Sequence, residues 1–235
     1  MIKLIVIALA PVLIIAGYIY ARDKYEKEPL KLLFKALLFG GLITIPVIFV
    51  ESLFSKLISG LPKDMEALGT AFLVAGFTEE AFKFLVLFLL IWKNRDFNEK
   101  FDGIVYAVFI SLGFAAVENI MYVLNYGEST GYTRALISVP AHALFGVTMG
   151  YYFGLAKFYP LLRNSFMIRS FLYPFILHGI FDFILMLQNY RLLLGFIPFV
   201  IFLYIDGLKK MRNLSGRSVY RDDSSQEEPQ GENKH

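Results

Sequence analysis

The stretch GFTEEAFKFLVLFLLIW, Gly76 to Trp92, has the apolar content of a helix built for lipid, yet it carries Glu79, Glu80 and Lys83. Lys83 follows Glu79 by four residues and Glu80 by three, so on a helix the three side chains share one face. A bilayer-crossing helix needs about 20 mostly apolar residues, and runs of that length recur along the chain. Of its 235 residues 57% are hydrophobic and 17% aromatic, and the mean hydropathy is +0.56, against about 45–50% apolar residues in a soluble domain. The expected fold is therefore an all-α integral membrane protein, a bundle of about seven transmembrane helices. There is no cysteine, which excludes disulfides, thiol catalysis and zinc–thiolate sites.

Working outward from this stretch, the apolar runs place spans at roughly 2–20, 34–54, 68–92, 103–125, 135–157, 170–187 and 191–208. Residues 1–208 read as one polytopic domain and 209–235, ending in DDSSQEEPQGENKH, as a disordered tail too polar to bury itself. The first span reads as a retained helix rather than a signal peptide: only Lys3 precedes it, whereas Arg22, Lys24 and Lys27 follow it. Lys and Arg gather in alternate connections. Residues 21–35, 93–102 and 157–169 and the tail hold most of them, and the other set holds only Lys3, Lys56, Lys63, Arg134 and Arg191. Positive charge marks the cytoplasmic side, which puts the N-terminus outside and the C-terminus in the cytoplasm.

A charge at mid-bilayer costs about 2.5–3.5 kcal/mol on insertion scales, so intramembrane ionisable groups mark function by default. Two adjacent carboxylates in a low dielectric do not both ionise freely, and Lys83 sets one apart from the other, which gives a base and an acid. The fourth span adds Glu118 and Asn119 in FAAVENIMY; Asn119 suits either an oxyanion or a packing hydrogen bond between helices. The fifth, PAHALFGVTMGYYFG, sets His142 on a stripe continued by Gly146, Gly150 and Gly154, which lets another helix come close. In the sixth, PFILHGIFDF, Asp182 lies four residues after His178 and can fix its imidazole. Counting about 1.5 Å per residue, Glu79 and Glu80 fall near the midplane, and Glu118, His142, His178 and Asp182 in the outer half. That coincidence predicts one cavity open to the extracytoplasmic side.

Glu79, Glu80, His142 and His178 suit hydrolysis. A glutamate takes a proton from water, and a histidine, with Asn119, stabilises the oxyanion. Lys83, Glu118, Asn119 and Asp182 are the supporting residues. No cofactor is required on this reading, which the absence of His-Glu-x-x-His spacing favours. A zinc ion held by Glu80, His142 and His178 is the close competitor. A proton-coupled transporter would use the same residue types, but no inverted repeat is present.

At these residues the chain resembles the PrsW family of bacterial membrane proteases. The resemblance runs from the A-x-D-x-Y-x-x-E-P stretch, Ala21 to Pro29, through FTEEAFKF, DGIVYAVFISLGFAAVENIMY, PAHALFGVTMGYYFG and LHGIFDFIL to the last span. It implies a multi-pass protein of the bacterial plasma membrane, in a wider clan with CAAX-prenyl-protease-like proteins. It also implies a task, the first (site-1) extracytoplasmic cut in a single-span membrane anti-sigma factor, which leads to sigma-factor release under envelope stress. The expected partners are that substrate and the lipid bilayer, with no nucleic acid.

Overall fold

The computed structural model describes residues 1–187 and 189–216, and among them every regular element is helical. The helices are α1 (Ile2–Arg22), α2 (Leu30–Leu42), α3 (Thr44–Ile58), α4 (Lys63–Gly69), α5 (Thr78–Ile91), α6 (Asp102–Tyr126), α7 (Glu128–Leu136), α8 (Ser138–Phe158), α9 (Arg163–Leu187) and α10 (Tyr190–Ser215). Among the described residues six segments are long and apolar enough to cross a membrane: Ile2–Arg22, Leu30–Ile58, Asp102–Tyr126, Glu128–Phe158, Pro160–Leu187 and Leu192–Ser215. The seventh helix of the bundle is the one that holds Glu79, Glu80 and Lys83, and those charges set it apart from the other six.

Several elements depart from the expected spans. The second breaks at Ile43 into α2 and α3. The third runs on without interruption from α4 to α5, but Thr70–Phe77 between them is π-helical. Such wide turns concentrate at functional sites, and this one ends where Glu79 and Glu80 begin. Glu128–Leu136 forms a helix of its own because ESTGYTRAL is too polar to extend a span. The connection expected at 157–169 shrinks to a 3-10 turn, Pro160–Leu162, before α9 starts. The polar tail expected from residue 209 begins inside α10, which continues to Ser215. Met211 and Leu214, three residues apart, share a face there and are both buried. The rest of that tail, from 217 to 235, lies outside the described residues.

Helix α6 is the axis of the bundle, with Ile104, Val105, Tyr106, Val108, Ile110 and Leu112 fully buried. In lipid, helices gain nothing from hiding apolar surface from one another, so they associate by close packing between small residues. A Cβ on Gly150 would strike the carbonyl of Gly103, and one on Gly154 that of Lys100. On the other side of α6, Gly113 against Leu37 of α2 and Gly40 of α2 against Ile110 do the same work. The predicted glycine stripe of α8 is thus the seam with α6.

The end of the bundle near the α1–α2 connection buries Asp23, Glu28, Glu99 and Asp102. Asp102 accepts the backbone N–H groups of Asn98 (2.9 Å) and Glu99 (2.6 Å), Asp23 accepts that of Glu28 (3.3 Å), and the Tyr106 hydroxyl donates to Glu28. Burial pushes the Asp23 carboxyl up to about 6. Burial, and then the neighbouring Asp102, push Glu28 up to about 9.

Candidate active site

The opposite end holds a cavity of about 660 Å³. It opens between α3, the π-turn, the C-terminal halves of α6 and α9, and the N-terminal half of α8, with Arg134 of α7 at its wall. Packing sets its depth: the α6–α8 seam holds those helices tight below, and they line a space above.

On the first turn of α5, Glu79 and Glu80 point inward with Lys83 one turn on, and all three are buried. The Lys83 ammonium donates to Glu79 Oε2 (3.0 Å) and Glu80 Oε1 (2.8 Å), and lies 4.4 Å from the centre of the Phe114 ring. His142 of α8 sets Nδ1 3.3 Å from Lys83 Nζ and Nε2 2.9 Å from Glu118 Oε2. An ammonium only donates and a carboxylate only accepts, so Nδ1 accepts a hydrogen bond from Lys83 while Nε2–H donates to Glu118. His178 of α9 differs. Its Nδ1 lies 2.9 Å from Glu80 Oε1 and its Nε2 3.3 Å from Asp182 Oδ2, so the ring faces carboxylates at both ends. The Phe145 ring stacks on it at 4.9 Å, which fixes its plane.

Glu79, Glu80, His142 and His178 come together, each offering one donor atom within 4.8 Å of the others. They are not equivalent. Glu79 and both histidines line the cavity, whereas Glu80 is completely buried behind them. Glu80 Oε1 is shared by Lys83 and His178, and Glu80 Oε2 is buried with no hydrogen-bond partner. Of the supporting residues, Lys83, Glu118 and Asp182 join this network directly. Asn119 does not face the cavity. It is fully buried, its amide nitrogen donates to the Ala8 carbonyl of α1 (2.8 Å) and its oxygen accepts from Arg134 (3.0 Å). Of the two roles open to Asn119, these contacts are those of a packing hydrogen bond between helices.

Two residues were not singled out from the sequence. Arg134 reads there only as a loop charge. Here its guanidinium donates to Glu118 (2.7 Å) and stacks 4.0 Å from the centre of the Tyr122 ring, which ties α7 to the site. Glu51, on α3, lines the same cavity. Its signal was present as a lone carboxylate inside the apolar run 34–54, the kind of residue that marks function in a span.

A donor set of two imidazoles and carboxylates, with one orphaned carboxylate oxygen among them, fits a divalent metal such as zinc. Three of these residues, Glu79, Glu80 and His142, already hold a cation, the Lys83 ammonium.

Comparison with known proteins finds relatives over nearly the whole chain. The profile described as PrsW family intramembrane metalloprotease matches residues 28–205. The chain is 38% identical to Protease PrsW of Geobacillus kaustophilus over 92% of its length and 94% of that protein's. It is 38% identical to Protease PrsW of Clostridioides difficile, over 92% and 94% of the two chains. With Protease PrsW of Bacillus subtilis it shares 35% identity over 93% and 98%. No solved structure matches the chain. A buried glutamate–histidine cluster in a multi-pass helical bundle, and relatives of nearly the same length, lead to one conclusion: the chain belongs to the PrsW family and is a membrane-embedded peptidase.

Proposed function

We propose that this peptidase cuts a single-span membrane anti-sigma factor on its extracytoplasmic side, with Glu79 as general base. The observation that carries this is the meeting of Glu79, Glu80, His142 and His178 at the wall of a 660 Å³ cavity. Of the adjacent pair Glu79 and Glu80, it is Glu79 that faces the space a peptide and a water would share. It takes a proton from the water as the oxygen attacks the scissile carbonyl carbon, then passes that proton to the leaving amine as the C–N bond breaks. His178 stabilises charge on the carbonyl oxygen, and His142, its N–H given to Glu118, holds the Lys83 ammonium beside it. Glu80 is a positioning residue that holds Lys83 and His178 where Glu79 needs them.

A metal-assisted form of the same reaction is the second reading, favoured by the orphaned Glu80 Oε2 and by the family's description as metalloproteases. Glu80, His142 and His178 would hold the ion, which supplies Lewis-acid polarisation of the carbonyl and of water. Glu79 keeps its role as base, and Lys83 must then release Glu80.

The side of the cut rests on charge asymmetry. The cavity lies at the end bounded by the poorly basic connections, which the positive-inside tendency places outside. Because the chain has no cysteine, Ser129→Cys and Asn164→Cys report topology cleanly. An impermeant thiol reagent on intact cells should label the first and spare the second. For the chemistry, protein reconstituted in liposomes with a tagged single-span anti-sigma substrate should cleave it, and Glu79→Gln should stop cleavage. Full cleavage by Glu79→Gln would rule Glu79 out as base. Loss of activity on dialysis against a chelator, restored by zinc, would select the metal-assisted form.

A further inference from the structure

Helix α3 has two faces of opposite character. Ile45, Phe49, Leu53 and Leu57 are exposed on the bundle's outside, as lipid-facing residues are. Its other face lines the cavity with Glu51, Ser52 and Ser55 among its polar groups. A polar stripe within a span is costly unless it meets something polar.

The carboxylates of the cavity wall differ in one respect. Glu79 pairs with Lys83 (3.0 Å), Glu118 with Arg134 (2.7 Å) and His142 (2.9 Å), and Asp182 with His178 (3.3 Å). Among the described residues no hydrogen bond or ion pair reaches the carboxylate of Glu51. Yet it belongs to the same site, lining one cavity with Glu79, Glu118 and His178. The lining as a whole is also unbalanced: Glu51, Glu79, Glu118 and Asp182 face the cavity against Arg134, with Lys83 buried behind. A cleft with a surplus of one sign and low-dielectric walls draws in the opposite charge.

We infer that Glu51 is a specificity-determining residue, the acceptor for a Lys or Arg side chain of the substrate close to the bond that is cut. The cation completes the one carboxylate that the chain leaves unpaired and seats the peptide along α3, within reach of Glu79. Ser52 and Ser55 on the same helix offer further acceptors to the ammonium or guanidinium. This inference rests on the reading of the cavity as the place of peptide hydrolysis.

The test is a panel of single-span peptides reconstituted with the protein in liposomes. Each residue of the extracytoplasmic juxtamembrane segment is replaced in turn by Lys, Ala or Glu, and kcat/KM is measured for each. At one register the wild-type protein should prefer Lys over Ala by roughly tenfold to a hundredfold, the range of a charge-assisted hydrogen bond, and the preference should shrink as salt is raised. Glu51→Gln should erase that ratio, and Glu51→Lys should turn the preference toward Glu. The salt dependence needs no variant, so it holds even if a variant folds poorly. A wild-type enzyme with no Lys-preferring register, or an unchanged Lys/Ala ratio in Glu51→Gln, overturns the inference and leaves the protease reading standing. A wild-type enzyme that cuts no member of the panel removes that reading and this inference with it.

Discussion

The two ends of this bundle both bury carboxylates, and they neutralise them by different means. At the cavity end each of Glu79, Glu80 and Glu118 has a cation within 3.0 Å, supplied by Lys83 or Arg134. At the other end no ion pair joins Asp23, Glu28 or Asp102 to a cation among the described residues. Backbone N–H groups, the Tyr106 hydroxyl and bound protons do the work instead. The difference is instructive. A carboxyl that holds its proton is an architectural hydrogen-bonding group, and it fastens the α1–α2 connection to the start of α6. A carboxylate paired with a cation at a cavity wall, as Glu79 is, stands where a peptide and a water can reach it, which is what a general base needs.

The comparison can be broken most decisively by the same substitution at both ends. Glu79→Gln should lower kcat/KM for a single-span substrate by roughly a thousandfold, within the range for removal of a general base, while the protein still folds and inserts. Glu79→Gln with undiminished cleavage would place both carboxyl clusters in the architectural class. Next in size is Lys83→Met, which strips Glu79 and Glu80 of their shared cation. Breaking a buried ion pair costs about 3–5 kcal/mol, so thermal unfolding in detergent should show a large loss of stability. A small loss would mean that the cavity end, too, can neutralise itself with protons. Glu118→Gln should cost roughly tenfold to a hundredfold in activity, as loss of a group that orients a site imidazole does, with little change in unfolding temperature. Equal loss of stability and activity would make Glu118 structural.

The smallest expected effect sharpens the contrast. Glu28→Gln should change stability at about pH 4 by less than about 1 kcal/mol, because folded and unfolded chains both hold the proton there, and it should be the more stable form at neutral pH, where the unfolded wild type gives that proton up. The sign of the pH dependence follows from the direction of the shifts. Asp23 and Glu28 hold protons more tightly when folded than when unfolded, from ordinary values of 3.8 and 4.5 to about 6 and about 9. Their contribution to stability is complete below the unfolded values and is lost as pH rises, through about 6 for Asp23 and about 9 for Glu28. Glu28→Gln should flatten the upper part of that loss in a series of unfolding curves. A wild-type protein whose stability rises between pH 6 and 9 would contradict the assignment.

The sequence by itself determined the class of the molecule and most of its polar interior. Long apolar runs admit no other fold than membrane helices, since in lipid every backbone polar group must be satisfied within its own segment. Charged residues inside those runs identify themselves, because their insertion cost demands a reason; hence Glu79, Glu80, Lys83, Glu118, His142, His178 and Asp182 were all legible. Only the tertiary structure decided which groups face one another. The π-turn before Thr78, the separate helix that brings Arg134 to Glu118, the commitment of Asn119 to Ala8 and the cavity position of Glu51 all depend on contacts between segments far apart in the chain. Hydropathy reports the environment of one segment at a time, whereas the partner of a buried polar group is set by how the helices pack.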